Sequence, residues 1–172
     1  MKAAVLCISL TIVSVHGAIG QTEGHTLLFN PDSTTITEVD QRAIFDALDY
    51  LVSADGASLE AVDCGPIFAR AAEADLNGDG VVEVFVLGGN SCTSGMDGST
   101  ITLWIKDAAG NYAMNLGFPG GGWTVLGTSN LGFPHLSIGG AGFCEAVWRW
   151  DGTTYQHHGN RETEPGGCDG IG

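Results

Sequence analysis

Apolar residues recur at three- and four-residue steps in the segment that follows Thr35. They have acidic and amide side chains between them and comprise Val39, Ala43, Ile44, Ala47, Leu48, Leu51 and Val52. This period is that of an amphipathic helix. Thr35 stands three residues before Glu38, which is capping-box spacing, and Asp55-Gly56 is typical of a helix end. The pattern therefore predicts a helix over residues 36–54.

A second, shorter helix is predicted to begin at Pro66, because proline suits the first position of a helix. It would extend to Ala72 and carry three apolar residues, Ile67, Phe68 and Ala71. These side chains need a partner surface, which we expect a β-sheet to provide.

From Val81 onward the apolar pattern changes to that of β-strands. Residues 81–87 form a β-branched run bounded by glycine, which indicates a buried strand, and residues 100–105 indicate another. Shorter strands are predicted at 123–126 and 135–138.

Two segments, 104–112 and 148–155, share one order: an aromatic strand, an Asp/Gly turn and a returning strand that opens with tyrosine. Both are typical of β-hairpins, and Asp151-Gly152 is the stronger turn signal. Three glycine runs fit turns and bulges better than phosphate-binding loops: 88–89, 120–122 and 139–140.

Helices that precede a run of antiparallel strands are typical of the α+β class. We therefore predict N-terminal helices packed on an antiparallel β-meander of about six short strands, stapled by disulfides, in a single α+β domain over residues 21–172. No segment of about 20–50 residues recurs three times, so this chain alone cannot form a closed propeller.

The first twenty residues have the pattern of a secretory signal peptide. Lys2 is their only charge, residues 3–15 are an apolar stretch, and the small residues Gly17 and Gly20 follow. The apolar stretch is short for a transmembrane helix, which needs about 20 residues. We therefore predict a signal peptide over residues 1–20 and a periplasmic or secreted protein, with cleavage near Gly20 and Gly17 as the alternative.

Four cysteines follow that segment: Cys64, Cys92, Cys144 and Cys168. An even number in an exported chain favours two disulfides, for which three pairings exist. We favour the sequential pairing, Cys64 with Cys92 and Cys144 with Cys168, because it closes two loops of similar size. Zinc binding is the weaker alternative, since no C-x-x-C is present.

The charge balance narrows the choice of partners. The chain carries 6 Lys and Arg against 20 Asp and Glu, a formal net charge of −14. Duplex DNA and anionic lipid would both repel such a surface. We therefore expect a protein or glycan partner outside the cytoplasm, and neither nucleic acid nor a membrane.

One stretch has the residue types of a metal site. In the segment D-L-N-G-D-G-V-V-E, oxygen-bearing side chains stand at positions 1, 3, 5 and 9, with glycine at position 6. Calcium takes 6–8 hard oxygen ligands, and a loop that curls around one ion presents alternate residues to it. The bidentate Glu of an EF-hand is missing, because its position is occupied by Val86. An ordinary Asp-Gly turn with solvated carboxylates is the alternative interpretation.

This stretch resembles the calcium loops of FG-GAP and VCBS propeller repeats, in which the loop leads directly into a strand. The chain also resembles small exported bacterial proteins that carry a single loop of this kind. The resemblance implies calcium as the cofactor. The ligands it implies are the side chains of Asp75, Asn77, Asp79 and Glu83 and the backbone carbonyl of Val81.

The aromatic hairpin near the C-terminus offers a second candidate site. Trp148 and Trp150 stand two residues apart, so in a strand they share one face, and Tyr155 opens the returning strand. These three residues are candidates for partner binding by stacking, although covering a small β core is the more common role of such a pair. His157 and His158 would point to opposite faces and could not readily bind one metal together.

No catalytic residue is predicted, because Ser129 lacks the spacing of a nucleophile elbow and no pair of carboxylates is distinguished. We expect an exported, non-catalytic binding or structural module stabilised by calcium. The first alternative is an acidic inhibitor or immunity protein directed against a basic secreted enzyme such as a lysozyme. The second is a hydrolase with an unrecognised site.

Overall fold

Antiparallel strands form most of the computed structural model, which describes residues 23–171. The predicted signal peptide, residues 1–20, lies outside the described residues. The first sheet has six strands in chain order: β1 (Tyr50–Val52), β2 (Leu59–Ala61), β3 (Gly65–Ala74), β4 (Glu83–Gly89), β5 (Thr100–Lys106) and β6 (Tyr112–Pro119). The second sheet has the order β10-β9-β8-β7, from β7 (Gly122–Asn130), β8 (Phe133–Gly139), β9 (Cys144–Trp150) and β10 (Tyr155–Glu162).

Three short α-helices accompany the sheets in the described part of the chain. Helix α1 (Gly24–Leu28) and helix α2 (Glu38–Asp46) precede the strands. Helix α3 (Ser91–Ser94) follows β4 and continues into a 3₁₀ turn at Gly95–Asp97. None of the helices in residues 23–171 has the length and apolar composition that a membrane span requires.

The first sheet lies between the N-terminal helices and the second sheet, and each of its faces has its own core. Toward the helices, buried residues of α1, α2 and the sheet pack together: Leu28, Phe29, Ile44, Leu59, Ile67, Val84, Val86 and Trp104. Toward the second sheet, the buried residues are Phe85, Leu87, Ile101, Leu103, Leu116, Phe133, Leu136, Ile138, Trp150 and Tyr155. Strand β4 contributes alternate residues to both cores, so every residue in it is buried.

The predicted helix over residues 36–54 is correct only for its first half. Helix α2 ends at Asp46, and the chain then reverses through Asp49, which has a φ of 55°, before residues 50–52 form β1. The cap also differs from the prediction, because Thr37 accepts a hydrogen bond from the backbone N–H of Asp40. Thr35 instead donates a hydrogen bond to the Glu73 carboxylate on β3.

The predicted helix over residues 66–72 is wrong, because this segment lies within β3. Residues 68–74 of β3 pair with β4, and residues 65–67 pair with β2 on the other side. Ile67, Ala69 and Ala71 alternate toward the helix-side core. Pairing on both sides of the strand therefore outweighs the helix propensity of this alanine-rich segment.

The predicted fold class is confirmed in part. The described chain has short helices packed on an antiparallel meander, as predicted, but it has ten strands rather than about six and a second sheet that the prediction lacked. The strand over 81–87 is confirmed as β4, which begins two residues later, and the strand over 100–105 is confirmed as β5. Both predicted hairpins are also present, as β5–β6 and β9–β10.

Both favoured disulfides are confirmed. Cys64, in the turn between β2 and β3, is bonded to Cys92 in α3. Cys144, at the start of β9, is bonded to Cys168 in the segment after β10. Disulfides fit an oxidising environment outside the cytoplasm.

Candidate functional site

The acidic segment over residues 75–83 is the connection between β3 and β4, the two strands at the centre of the first sheet. It leads directly into β4, whose first residue is Glu83. The end of this loop is therefore fixed to the strand that contributes residues to both cores.

Side-chain oxygens fold the loop back on itself. The Asp75 carboxylate accepts hydrogen bonds from the backbone N–H groups of Gly78, Asp79 and Gly80 at 2.8, 3.1 and 3.0 Å. The Asn77 side-chain oxygen accepts from the Asp79 N–H at 3.0 Å. These side-chain oxygens thus accept hydrogen bonds from the backbone of the loop itself.

Two glycines make this curvature accessible. Gly78 and Gly80 have φ values of 77° and 87°, in the left-handed region that residues with a side chain rarely adopt. Nothing lies within 4 Å of a Cβ added at either position. The requirement for glycine is therefore conformational rather than steric.

Glu83 is the member of the loop that the fold buries, with 3% of its surface exposed. Its Oε2 accepts a hydrogen bond from the Leu76 N–H at 2.8 Å. Burial, together with the carboxylates of Asp79 and Asp75, raises the pKa of Glu83 to about 7, against the lowering effect of this hydrogen bond. No Lys, Arg or His among the described residues forms an ion pair with it.

The other predicted ligands are more accessible: Asp75, Asp79 and Val81 are exposed and Asn77 is half-buried. The donor set, carboxylate, amide and carbonyl oxygen, fits calcium chemically. However, no group of three or more His, Cys, Asp or Glu side chains in residues 23–171 is arranged to hold a metal ion. The residue types thus fit a calcium ion, while the carboxylates are not gathered around one point in advance.

A tyrosine of β6 forms a hydrogen bond with the end of the loop. The Tyr112 hydroxyl donates a hydrogen bond to the carbonyl of Val82 at 2.7 Å. Burial raises the pKa of Tyr112 to about 12, and the nearby carboxylates, Asp40 first, add to the effect. Burial also raises the pKa of Tyr50 and Tyr155 above the ordinary value.

This predicts stability that falls at alkaline pH. The folded protein holds its phenolic protons more tightly than the unfolded chain, in which tyrosines titrate near pH 10. The stabilisation is therefore complete below pH 10 and is lost as the pH rises towards 12. We expect the tyrosinate absorbance of the folded protein to stay low at pH 10 and to rise together with unfolding seen by circular dichroism. A separate tyrosinate step near pH 10, before unfolding, would contradict the burial of all three tyrosines.

The candidate partner-binding aromatics lie on the core side of the second sheet. Trp150 and Tyr155 are 9% and 3% exposed, and Trp148 packs against the same core. Trp148 and Trp150 share a face, as their spacing predicts, but it is the inner face. They therefore do not form an exposed stacking platform.

The histidines of β10 separate as their adjacency predicts. The His157 ring packs edge-on against Trp148, with ring centroids 5.8 Å apart. The His158 ring instead lies 5.4 Å from the ring of His135 on β8. The sequence separates His135 and His158 widely, so only the strand order brings them together.

Comparison with protein-family models, with curated proteins and with solved structures gave no match to this chain.

Proposed function

We propose that the protein is an exported, non-catalytic binding or structural module that calcium stabilises through the loop over residues 75–83. The observation that carries this proposal is the environment of Glu83. A buried carboxylate normally has a basic partner or a metal ion, because burying an unpaired charge is costly. Glu83 has neither a Lys nor an Arg partner among the described residues, and the other acids nearest to it, Asp75 and Asp79, repel it.

Calcium would supply the missing positive charge. Asp75, Asn77 and Asp79 would contribute side-chain oxygens, Val81 its carbonyl, and Glu83 would join the loop to β4. Since the carboxylates must draw together, we expect modest affinity, with a dissociation constant on the order of 10⁻⁴–10⁻³ M, as in extracellular modules. The role of the ion would be to fix the connection between the two central strands.

The direct test is calcium binding measured by calorimetry on the oxidised chain and on Asp79→Ala. We expect one calcium ion per chain for the parent and no measurable binding for the variant. Asp151→Ala is the matched control, because Asp151 also accepts backbone hydrogen bonds in a turn but lies in the β9–β10 hairpin. Equal calcium binding by Asp79→Ala and the parent would exclude this loop as the site.

The acidic surface supports the second candidate, an inhibitor or immunity protein directed against a basic secreted enzyme. Among the described basic side chains, Arg42, Lys106 and Arg161 are already paired with acids. Most of the 20 acidic residues therefore have no basic partner among residues 23–171. Association with a basic enzyme would then weaken steeply as salt is added.

A further inference from the structure

We propose that His135 and His158 form a two-histidine site for a divalent transition metal ion, Zn²⁺ or Cu²⁺, on the outer face of the second sheet. This site is separate from the loop over residues 75–83 in its place, its ligand atoms and its metal. It does not depend on the proposed calcium function.

The strand order places the two rings on one surface. His135 precedes Leu136, which is buried in the core and pairs with Trp148 on β9, so His135 points to the opposite, outer face. His158 lies at the register shift of β10, between His157 and Gly159. Because β9 lies between β8 and β10, the two imidazoles meet across it.

The distance between the rings suits a shared metal ion. Their centroids are 5.4 Å apart and their planes are inclined by 60°. Two imidazoles bound to one tetrahedral zinc ion, with Zn–N distances of about 2.0–2.1 Å, have centroids roughly 5 Å apart. The separation of the two rings therefore matches that of two imidazoles bound to one ion.

The hydrogen bonding of His135 matches that of a metal ligand. Its Nδ1 lies 2.9 Å from the Thr128 hydroxyl oxygen. Its Nε2 is enclosed and has no hydrogen-bond partner in the described structure. Metal-binding histidines commonly donate one ring N–H to a neighbouring acceptor, which leaves the lone pair of the other nitrogen for the metal. Donation from Nδ1 to Thr128 would leave the lone pair on Nε2.

The ligand atoms of this site are imidazole nitrogens, and they indicate which metal ions it would bind. An imidazole suits Zn²⁺ and Cu²⁺ better than Ca²⁺, which prefers oxygen.

No third His, Cys, Asp or Glu side chain completes the site within residues 23–171. Water would therefore occupy the remaining coordination positions, as it does in open zinc sites. We expect an exchangeable ion rather than a permanent structural one. Such an ion could accept a ligand from a binding partner.

The experiment measures binding of Zn²⁺ by calorimetry and of Cu²⁺ by electron paramagnetic resonance. The sample is the oxidised chain without a polyhistidine tag, in excess Ca²⁺ so that any oxygen site is filled. We expect one ion per chain, with nitrogen coupling in the Cu²⁺ spectrum. His158→Ala should weaken the affinity at least tenfold, and since His158 is exposed this variant should fold normally.

His157→Ala is the matched control, because His157 is the exposed neighbour on the other face. It should bind both metals like the parent. Thr128→Val should weaken binding about tenfold, as loss of a ligand's hydrogen-bond partner usually does. The proposal is overturned by absent binding, by unchanged affinity in His158→Ala, or by an equal loss in His157→Ala. Unchanged affinity in Thr128→Val would overturn the assignment of Nε2 as the ligand atom.

Discussion

Replacing Phe85 with alanine is expected to lower the free energy of unfolding by about 3–5 kcal/mol, the range for truncating a large aromatic residue in a packed core. Phe85 is fully buried in β4, and its ring stacks on Trp123 of the second sheet with centroids 4.3 Å apart. The substitution would open a cavity between the two sheets. Urea unfolding followed by circular dichroism measures the change.

Phe143→Ala is the matched control, because Phe143 is 59% exposed and lies outside both cores. We expect a change within about 0.5 kcal/mol for this variant. If Phe85→Ala were no more destabilising than Phe143→Ala, the packing of the second sheet on the first would be contradicted.

Removing the disulfide between Cys64 and Cys92 is also expected to destabilise the protein strongly. The double variant Cys64→Ser/Cys92→Ser should have a free energy of unfolding about 3–4 kcal/mol lower than the parent, because the bond joins residues 28 positions apart and restricts the unfolded chain. The bond ties the turn before β3 to the helix after β4. Denaturant unfolding of the parent and the double variant measures the loss.

The native state of that variant should keep its local structure. The Asn90 side chain caps α3 and donates hydrogen bonds to the carbonyls of Cys64 and Pro66, both at 3.0 Å, so it holds the same two segments together. The folded circular dichroism spectrum should therefore be unchanged at low denaturant. A loss of stability below 1 kcal/mol, or free thiols in the oxidised parent, would contradict this account.

The sequence predicts correctly those elements whose local residue pattern fits only one kind of secondary structure. Residues 81–87 are apolar and rich in valine except for Glu83, which is the pattern of a strand covered on both faces, and β4 contains most of them. The hairpin at Asp151-Gly152 is specified by its turn residues. The even number of cysteines predicts two disulfides, and the pairing favoured among the three possible ones is the pairing in the structure.

Other elements depend on partners that the sequence does not reveal. The Ala-rich segment 65–74 has the propensity of a helix, and only its pairing with β2 and β4 makes it a strand. Similarly, Leu48, Leu51 and Val52 continue the period of α2, although the helix ends at Asp46 and the chain turns at Asp49.

The second sheet was not predicted from the sequence, and the reason lies at Gly120-Gly121. We predicted a turn or bulge for the glycine run, but the chain changes sheets there. The Gly120 N–H donates to the Ser99 carbonyl beside the first sheet, and the Gly121 N–H donates to the Gly139 carbonyl in the second. A Cβ added at Gly120 would lie 2.7 Å from Ile138. Glycine is therefore needed for the close approach of the sheets, which a local pattern does not distinguish from a turn.

The candidate sites also combine features that the sequence predicts with features that only the fold creates. The oxygen ligands of the loop stand close together in the sequence and could be named from their spacing. The burial of Glu83 and the meeting of His135 with His158 arise only from the layers and the strand order. The sequence identifies the local donor set but not the environment that would give it a function.

The most direct test of calcium stabilisation is thermal unfolding of the parent and of Glu83→Gln, each in EDTA and in saturating calcium. Glutamine can keep the hydrogen bond from Leu76 and removes the buried charge. At 100 times the dissociation constant, calcium should stabilise the parent by about 2.7 kcal/mol, which raises the melting temperature by roughly 5–10 °C. Calcium should leave Glu83→Gln unchanged, and in EDTA this variant should melt above the parent. A parent melting temperature that calcium does not alter would contradict the proposed role of the loop.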